Sequence, residues 1–276
     1  MKLKQNHSLE NFDDSKPLTN TLRYTAVFHL KYFSELVMSQ TKEAFSLLCE
    51  CEETVNDILT KTISIKFEKV SLKSRIICTV LPEKIVFTTI GNTNADCVAI
   101  LSAATYFLTE CTRKAMFISG YVTYGHFYFN DSREIICGKP YIMADQMAAK
   151  IKINGMVCDK IVEQNLEEAR MFTKDDSLFS QLGMSLLVPW DVPIYGSTLE
   201  GGLVKKSMTI VDWPRFSHDV FETIKSYSNK EFYTPFETIH GSFESLSEEK
   251  QTHINETLAF LNFSLSQTVK LFNSTL

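Results

Sequence analysis

Residues 24–37 read YTAVFHLKYFSELV. Tyr24–Leu30 is a short apolar run, as expected of a buried strand. From Phe33 onward the spacing changes. Phe33, Leu36, Val37, Ala44, Leu47, Leu48, Cys51, Val55, Ile58 and Leu59 recur mostly every three or four residues, which predicts a helix ending near Lys61.

Beyond this unit, Ser74–Leu81 and Ile85–Ile90 are rich in β-branched residues, and Pro82-Glu83-Lys84 between them suits a hairpin turn. A second helix is expected over Ala95–Lys114. A strand pair follows, Met116–Phe129 and Glu134–Cys137, turning at Asn130-Asp131. Gly138-Lys139-Pro140 opens a third helix, Tyr141–Lys150, because proline is favoured at a helix start. The order strand, helix, hairpin, helix, hairpin, helix predicts an α/β chain of the α+β kind: a mixed, largely antiparallel sheet with helices packed on one face. Further on, Val157–Arg170 reads as helix, and Leu186–Trp190 and Met208–Trp213 as strands. Two helices are expected from Phe216, the last over Ser247–Phe272. The expected organisation is a flexible segment 1–21, a domain over 22–215 and a helical C-terminal extension over 216–276.

Composition narrows the class. The chain has 276 residues, 44% hydrophobic and 22% charged, enough for a sizeable core. A net charge of -5 without a Lys/Arg block disfavours nucleic acid and anionic membranes as partners. No stretch approaches the length of a membrane span. The seven cysteines are odd in number, and the first residues, MKLKQNHSLENFDDSK, hold no apolar run, so reduced thiols in the cytoplasm are expected. Cys49-x-Cys51 lacks a second ligand pair at zinc-site spacing.

Four segments together carry a resemblance. VFHLKYFSELV (27–37) has the layout of a strand reading F-hydrophobic-D-hydrophobic followed by a helix opening F-x-x-L-V. Leu81-Pro82-Glu83-Lys84-Ile85-Val86 falls where a hairpin reading F-S-D-S-I-V is found. Ser119-Gly120-Tyr121-Val122-Thr123-Tyr124-Gly125 compares with an R-G-hydrophobic-x-x-G strand, apart from its arginine and with the second glycine one residue later. Cys137-Gly138-Lys139-Pro140 leads to Ala144, Asp145 and Gln146, in place of F-G-x-A and a glutamate-bearing helix. In this the chain resembles the class III nucleotide cyclases, and among them the pyrimidine (uridylate/cytidylate) cyclases of bacterial antiviral systems, over roughly residues 22–170.

The resemblance implies a nucleotide site with Mg²⁺ or Mn²⁺ held by two aspartates, one on the first strand and one in the hairpin, between two paired subunits. His29 and Glu83 stand at those positions in this chain. Imidazole is a poor ligand for Mg²⁺, which wants hard oxygens, so the metal is expected to be weakly held or absent. His29 reads as a strand histidine satisfied by a hydrogen bond, as a ligand of an altered metal site, or as a catalytic base. Glu83 reads as an exposed turn residue or a ligand. Ser119 replaces the family's arginine, and Ala148 lies about where the helix glutamate is often found. Ser119, Gly120, Tyr124 and Gly125 are the nucleotide-binding candidates, although glycines in strands also serve close packing. No catalytic residue is assigned. The expected function is therefore a catalytically impaired cyclase-like protein, a nucleotide-binding or regulatory component of bacterial cyclic-nucleotide antiviral signalling, working as a homodimer or with a cyclase-like subunit. The alternatives are a divergent active cyclase, drawing a second ligand from Asp96, Asp131 or Asp145 and converting a nucleoside triphosphate to a 3′,5′-cyclic monophosphate and pyrophosphate, or a scaffold keeping only the fold.

Overall fold

A computed structural model describes residues 21–65, 68–130, 135–172, 186–196, 202–216 and 229–275. The expected loose segment up to residue 20, the turn residue Asp131 and the stretch 217–228 lie outside the described residues.

Strand β1 (Thr21–Leu30) is central to the fold. Its sequence has little exposed surface because it is paired on both edges and covered on both faces. The region expected to be one helix is two: α1 (Phe33–Ser39) and α2 (Thr41–Thr60), separated at Gln40, whose φ of -146° leaves the helical region. A small hairpin, β2 (Thr62–Ile65) and β3 (Glu68–Ser71), follows. The hairpin β4 (Ile76–Leu81) and β5 (Lys84–Thr89) then leads to α3 (Asn94–Arg113). This helix starts where Thr93 and Asp96 cap each other reciprocally: the Asp96 amide donates to Thr93 Oγ1 at 3.3 Å, and the Thr93 amide to Asp96 Oδ2 at 2.8 Å.

Next come β6 (Ile118–Asn130), β7 (Ile135–Gly138) and α4 (Lys139–Lys150), with Pro140 in the first turn of the helix. Strand β8 (Gly155–Cys158) and helix α5 (Lys160–Phe172) correct the single helix expected over Val157–Arg170; the apolar run Gly155–Cys158 is fully buried strand, too short to show its period. Then follow β9 (Leu187–Tyr195), β10 (Leu203–Val211), the short α6 (Trp213–Phe216), α7 (Asn229–His240) and α8 (Glu248–Thr275).

The main sheet runs β4-β5-β1-β6-β8-β10-β9, with β7 also paired to β6. All pairings are antiparallel except β6–β8, so the sheet is mixed and largely antiparallel, as expected. Helices cover both faces, not one. Phe28 meets Phe107 of α3, ring centroids 5.1 Å apart, while its neighbour His29 reaches Asp145 of α4; successive strand residues point to opposite faces. Ala144 and Ala148 are fully buried beneath α4, and side chains this small bring the helix close to the sheet.

Asn154 ties the C-terminal helix to the sheet. Its Oδ1 accepts from the Ile118 amide at 2.9 Å and from His253 Nε2 at 2.8 Å, and its Nδ2 donates to Met116 O and Thr112 Oγ1. Its amide donates to Thr257 Oγ1 at 2.9 Å, and its carbonyl accepts from Trp213 Nε1 at 3.0 Å. Every polar atom of this buried residue has a partner, so strand, helix end and α8 are fixed to one point. Among the described residues, no helix is long and apolar enough to cross a membrane.

Candidate functional site

Three side chains from three elements meet at the Leu30 end of β1. The register pairs His29 with Lys84, not with Glu83. Glu83 stays in the two-residue turn, where its side chain is exposed and its carbonyl accepts from the Leu30 amide at 2.9 Å. The aligned hairpin thus sits one residue from the expected place: the tight Pro82-Glu83 turn closes on the pair Leu81–Lys84, which makes Lys84 the first strand residue. Bonds between strands fall within pairs of one register sum, and the Leu30–Glu83 bond makes His29–Lys84 a non-hydrogen-bonded pair. Such pairs bring their side chains closest.

Asp145 comes to these two from α4. His29 Nε2 lies 2.7 Å from Asp145 Oδ1, and Lys84 Nζ lies 2.7 Å from the same oxygen. The side chains of His29, Asp145 and Lys84 are 16%, 24% and 29% exposed, so the cluster is at the surface but partly shielded. Lys31 holds the end of α4 in place: its Nζ donates to the Ala148 and Ala149 carbonyls, 2.7 Å each, where the helix presents its negative end.

Burial lowers the pKa of His29, opposed by its hydrogen bond to Asp145. The ring is therefore neutral at pH 7, and Nε2–H donates to the carboxylate. Burial alone would raise Asp145, but the hydrogen bonds from Lys84 and His29 outweigh it and the net shift is downward. Lys84 is raised, chiefly by its hydrogen bond to Asp145. The charges in the cluster are thus one carboxylate and one ammonium in contact, with a neutral imidazole donating to the first.

The other candidates are not gathered here. Ser119 pairs with His29 across β1 and β6 but is fully buried, and its Oγ donates to Ile151 O at 3.0 Å. Gly120 faces the other side of the sheet; a Cβ there would lie 2.6 Å from the Phe28 ring, which accounts for the glycine by packing. Tyr124, on the same side as Gly120, packs on Tyr24 with centroids 4.6 Å apart, and Tyr24 Oη accepts from Asn165 Nδ2 at 2.9 Å. Gly125 lies against Pro140, 3.0 Å from where a Cβ would sit. Of the alternative carboxylates, Asp96 is consumed by the α3 cap and by Arg75 at 3.2 Å.

These residues do not fit a pair of divalent ions. One carboxylate is present, and a lysine ammonium already occupies its oxygen. Among the described residues, no three His, Cys, Asp or Glu side chains converge to hold a metal. Lys84 is the residue that sequence reasoning missed; counting the strand register back from the tight turn would have found it.

No protein-family model matches the chain, and no curated protein matches it in sequence. Solved structures similar in outline include three nucleotide cyclases. A guanylyl cyclase, Cya2, is 8% identical with a TM-score of 0.45, over 71% of this chain and 93% of that one. The catalytic core of a rhodopsin-guanylyl cyclase with converted specificity, in complex with ATPαS, is 9% identical with a TM-score of 0.45, over 70% and 95%. An adenylate cyclase from Trypanosoma brucei is 8% identical with a TM-score of 0.41, over 69% and 88%.

Proposed function

We propose that this chain is a nucleotide-cyclase-like protein that does not cyclise nucleotides, and that it serves as a nucleotide-binding or regulatory component of bacterial cyclic-nucleotide signalling, antiviral signalling included, in the cytoplasm and paired with a second cyclase-like subunit. One observation carries the reading: the Lys84 ammonium lies on the Asp145 carboxylate beside a neutral His29, at the strand end where the sequence resemblance implies two metal-binding aspartates.

Cyclisation drives the ribose 3′-oxygen onto the α-phosphate while pyrophosphate leaves. Two divalent ions clamp the attacking and leaving oxygens and absorb the developing charge. An ammonium neutralised by its own carboxylate supplies no net charge to that task. Loss of one such electrostatic contact costs about 2.7–4 kcal/mol in the transition state, on the order of a hundredfold to a thousandfold in rate. The test is turnover of the four common nucleoside triphosphates with Mg²⁺ or Mn²⁺, read by mass spectrometry, with nucleotide binding followed by calorimetry. The expected result is no cyclic product above a protein-free control. Brisk product formation that Asp145→Asn abolishes would establish the divergent cyclase instead.

A further inference from the structure

The hairpin of β9 and β10 has one closed edge and one open one. The Asp212 amide donates to Leu186 O at 2.8 Å and the Gly196 amide to Gly202 O at 3.1 Å, at the two ends of one unbroken register. Val204, Lys206, Met208 and Ile210 therefore bond to β9, and the main-chain groups of Leu203, Lys205 and Ser207 point away from it. The far edge of β9 is closed. Its outward positions include Pro189 and Pro193, which have no N–H to offer. The Lys152 amide also donates to Pro193 O at 2.9 Å, and Ile151 bridges Ile194.

The far edge of β10 is open over residues 203–207. Strand β8 pairs with β10 at Ile210, opposite Val157, and among the described residues no strand lies beside this stretch. All five residues are exposed, Leu203 by 39% and Val204 by 44%. The stretch holds no proline or glycine, and among the described residues nothing bonds the outward amides and carbonyls of Leu203, Lys205 and Ser207. Its lysines blunt the edge against its own kind: the antiparallel register that engages all the outward residues sets two copies of Lys205 directly opposite, where like charges repel. The same charges favour an acidic strand. Lys205 is held by Glu256 at 2.8 Å, whereas no carboxylate among the described residues pairs with Lys206.

We propose that the β10 edge over 203–207 is a docking site for an extended, acidic segment of another protein, which adds to the sheet as an antiparallel strand. Main-chain bonds to Leu203, Lys205 and Ser207 hold the segment, and side chains on alternate positions select it. Val204 and Lys206 lie two residues apart on one face. The incoming strand therefore places a carboxylate opposite Lys206 and, two residues further along, an apolar side chain opposite Val204. Lys206 is the cation that chooses the partner, because Lys205 is already neutralised by Glu256. This docking edge is independent of the nucleotide reading above.

The experiment titrates the full chain with a capped, fluorescently labelled peptide of alternating glutamate and valine, about eight residues long. A lysine–valine peptide of the same length is the control. The acidic peptide is expected to bind and the basic one not. On binding, amide hydrogen exchange read by NMR is expected to slow at Leu203, Lys205 and Ser207 and to change little at Val204 and Lys206, whose amides already bond to β9. Ser207→Pro removes one outward N–H, spares the ladder to β9, and is expected to weaken binding roughly tenfold with an unchanged circular dichroism spectrum. Lys206→Glu is expected to lose the acidic peptide and take the basic one. Should Ser207→Pro fail to fold, this exchange of partners decides the matter. No binding of the acidic peptide, equal binding of both peptides, or binding indifferent to Lys206→Glu or to Ser207→Pro overturns the proposal. So does a wild-type dimer, seen by sedimentation, that Ser207→Pro dissociates, because a second copy then occupies the edge.

Discussion

Lys84 Nζ and Asp145 Oδ1 are 2.7 Å apart, and this ion pair joins the first residue of β5 to the middle of α4 across the end of β1. It makes this strand end a helix-to-sheet contact. His29 completes the contact from between them.

Partial exposure limits what the pair contributes to stability. Surface ion pairs are worth about 0–1 kcal/mol. Lys84→Ala is therefore expected to lower the unfolding free energy by no more than about 1 kcal/mol, measured by urea denaturation. A loss of several kcal/mol would mean that the pair is a main support of α4 and not an ordinary surface contact.

Asn154 is the contrasting case. Asn154→Ala leaves the Ile118 amide and His253 Nε2 without their buried acceptor. Each stranded group costs about 1–3 kcal/mol, so a loss of at least about 2 kcal/mol is expected in the same titration. The near-ultraviolet spectrum should report it too, because Trp213 bonds to the Asn154 carbonyl.

Acid should destabilise the fold through two histidines. Burial is the main cause for both. His253 is held well below the ordinary imidazole value, with Lys31 and Lys152 adding to the effect; His240 is brought down to about 4, partly opposed by its hydrogen bond to Ala115 O. The unfolded chain takes up these protons near pH 6.5, whereas the folded chain does not. Stability is thus full above about pH 6.5 and falls as pH drops toward 4, by up to about 1.4 kcal/mol per pH unit for each histidine. Melting temperatures at pH 7.5, 6 and 5 check this. His253→Gln, which can keep the donor to Asn154, should flatten the decline.

Much of the fold was legible because its signals are local. The run Tyr24–Leu30 and the Pro82-Glu83 turn each state their own geometry, and the repeat from Phe33 states helix though not its break at Gln40. What escaped depends on long-range placement. The helix over Lys139–Lys150 was legible, but not that it lies on the opposite face from α3; its small buried residues, Ala144 and Ala148, carry little apolar signal. Strand β9 runs on to Tyr195 through two prolines, which only an edge strand tolerates. At the site, His29 was legible and Asp145 was weighed as one carboxylate among several. Lys84 was not, because a one-residue shift of the hairpin exchanges it with Glu83.

The central claim is that an internal cation stands where a divalent ion would be needed. Mn²⁺ titration followed by electron paramagnetic resonance tests it directly, since free and protein-bound Mn²⁺ differ in signal. The wild type should leave the free-ion signal unchanged, while the double variant His29→Asp with Lys84→Ala, which adds a carboxylate and removes the ammonium, should bind the ion. Stoichiometric binding of Mn²⁺ by the wild type, lost in Asp145→Asn, would contradict the account.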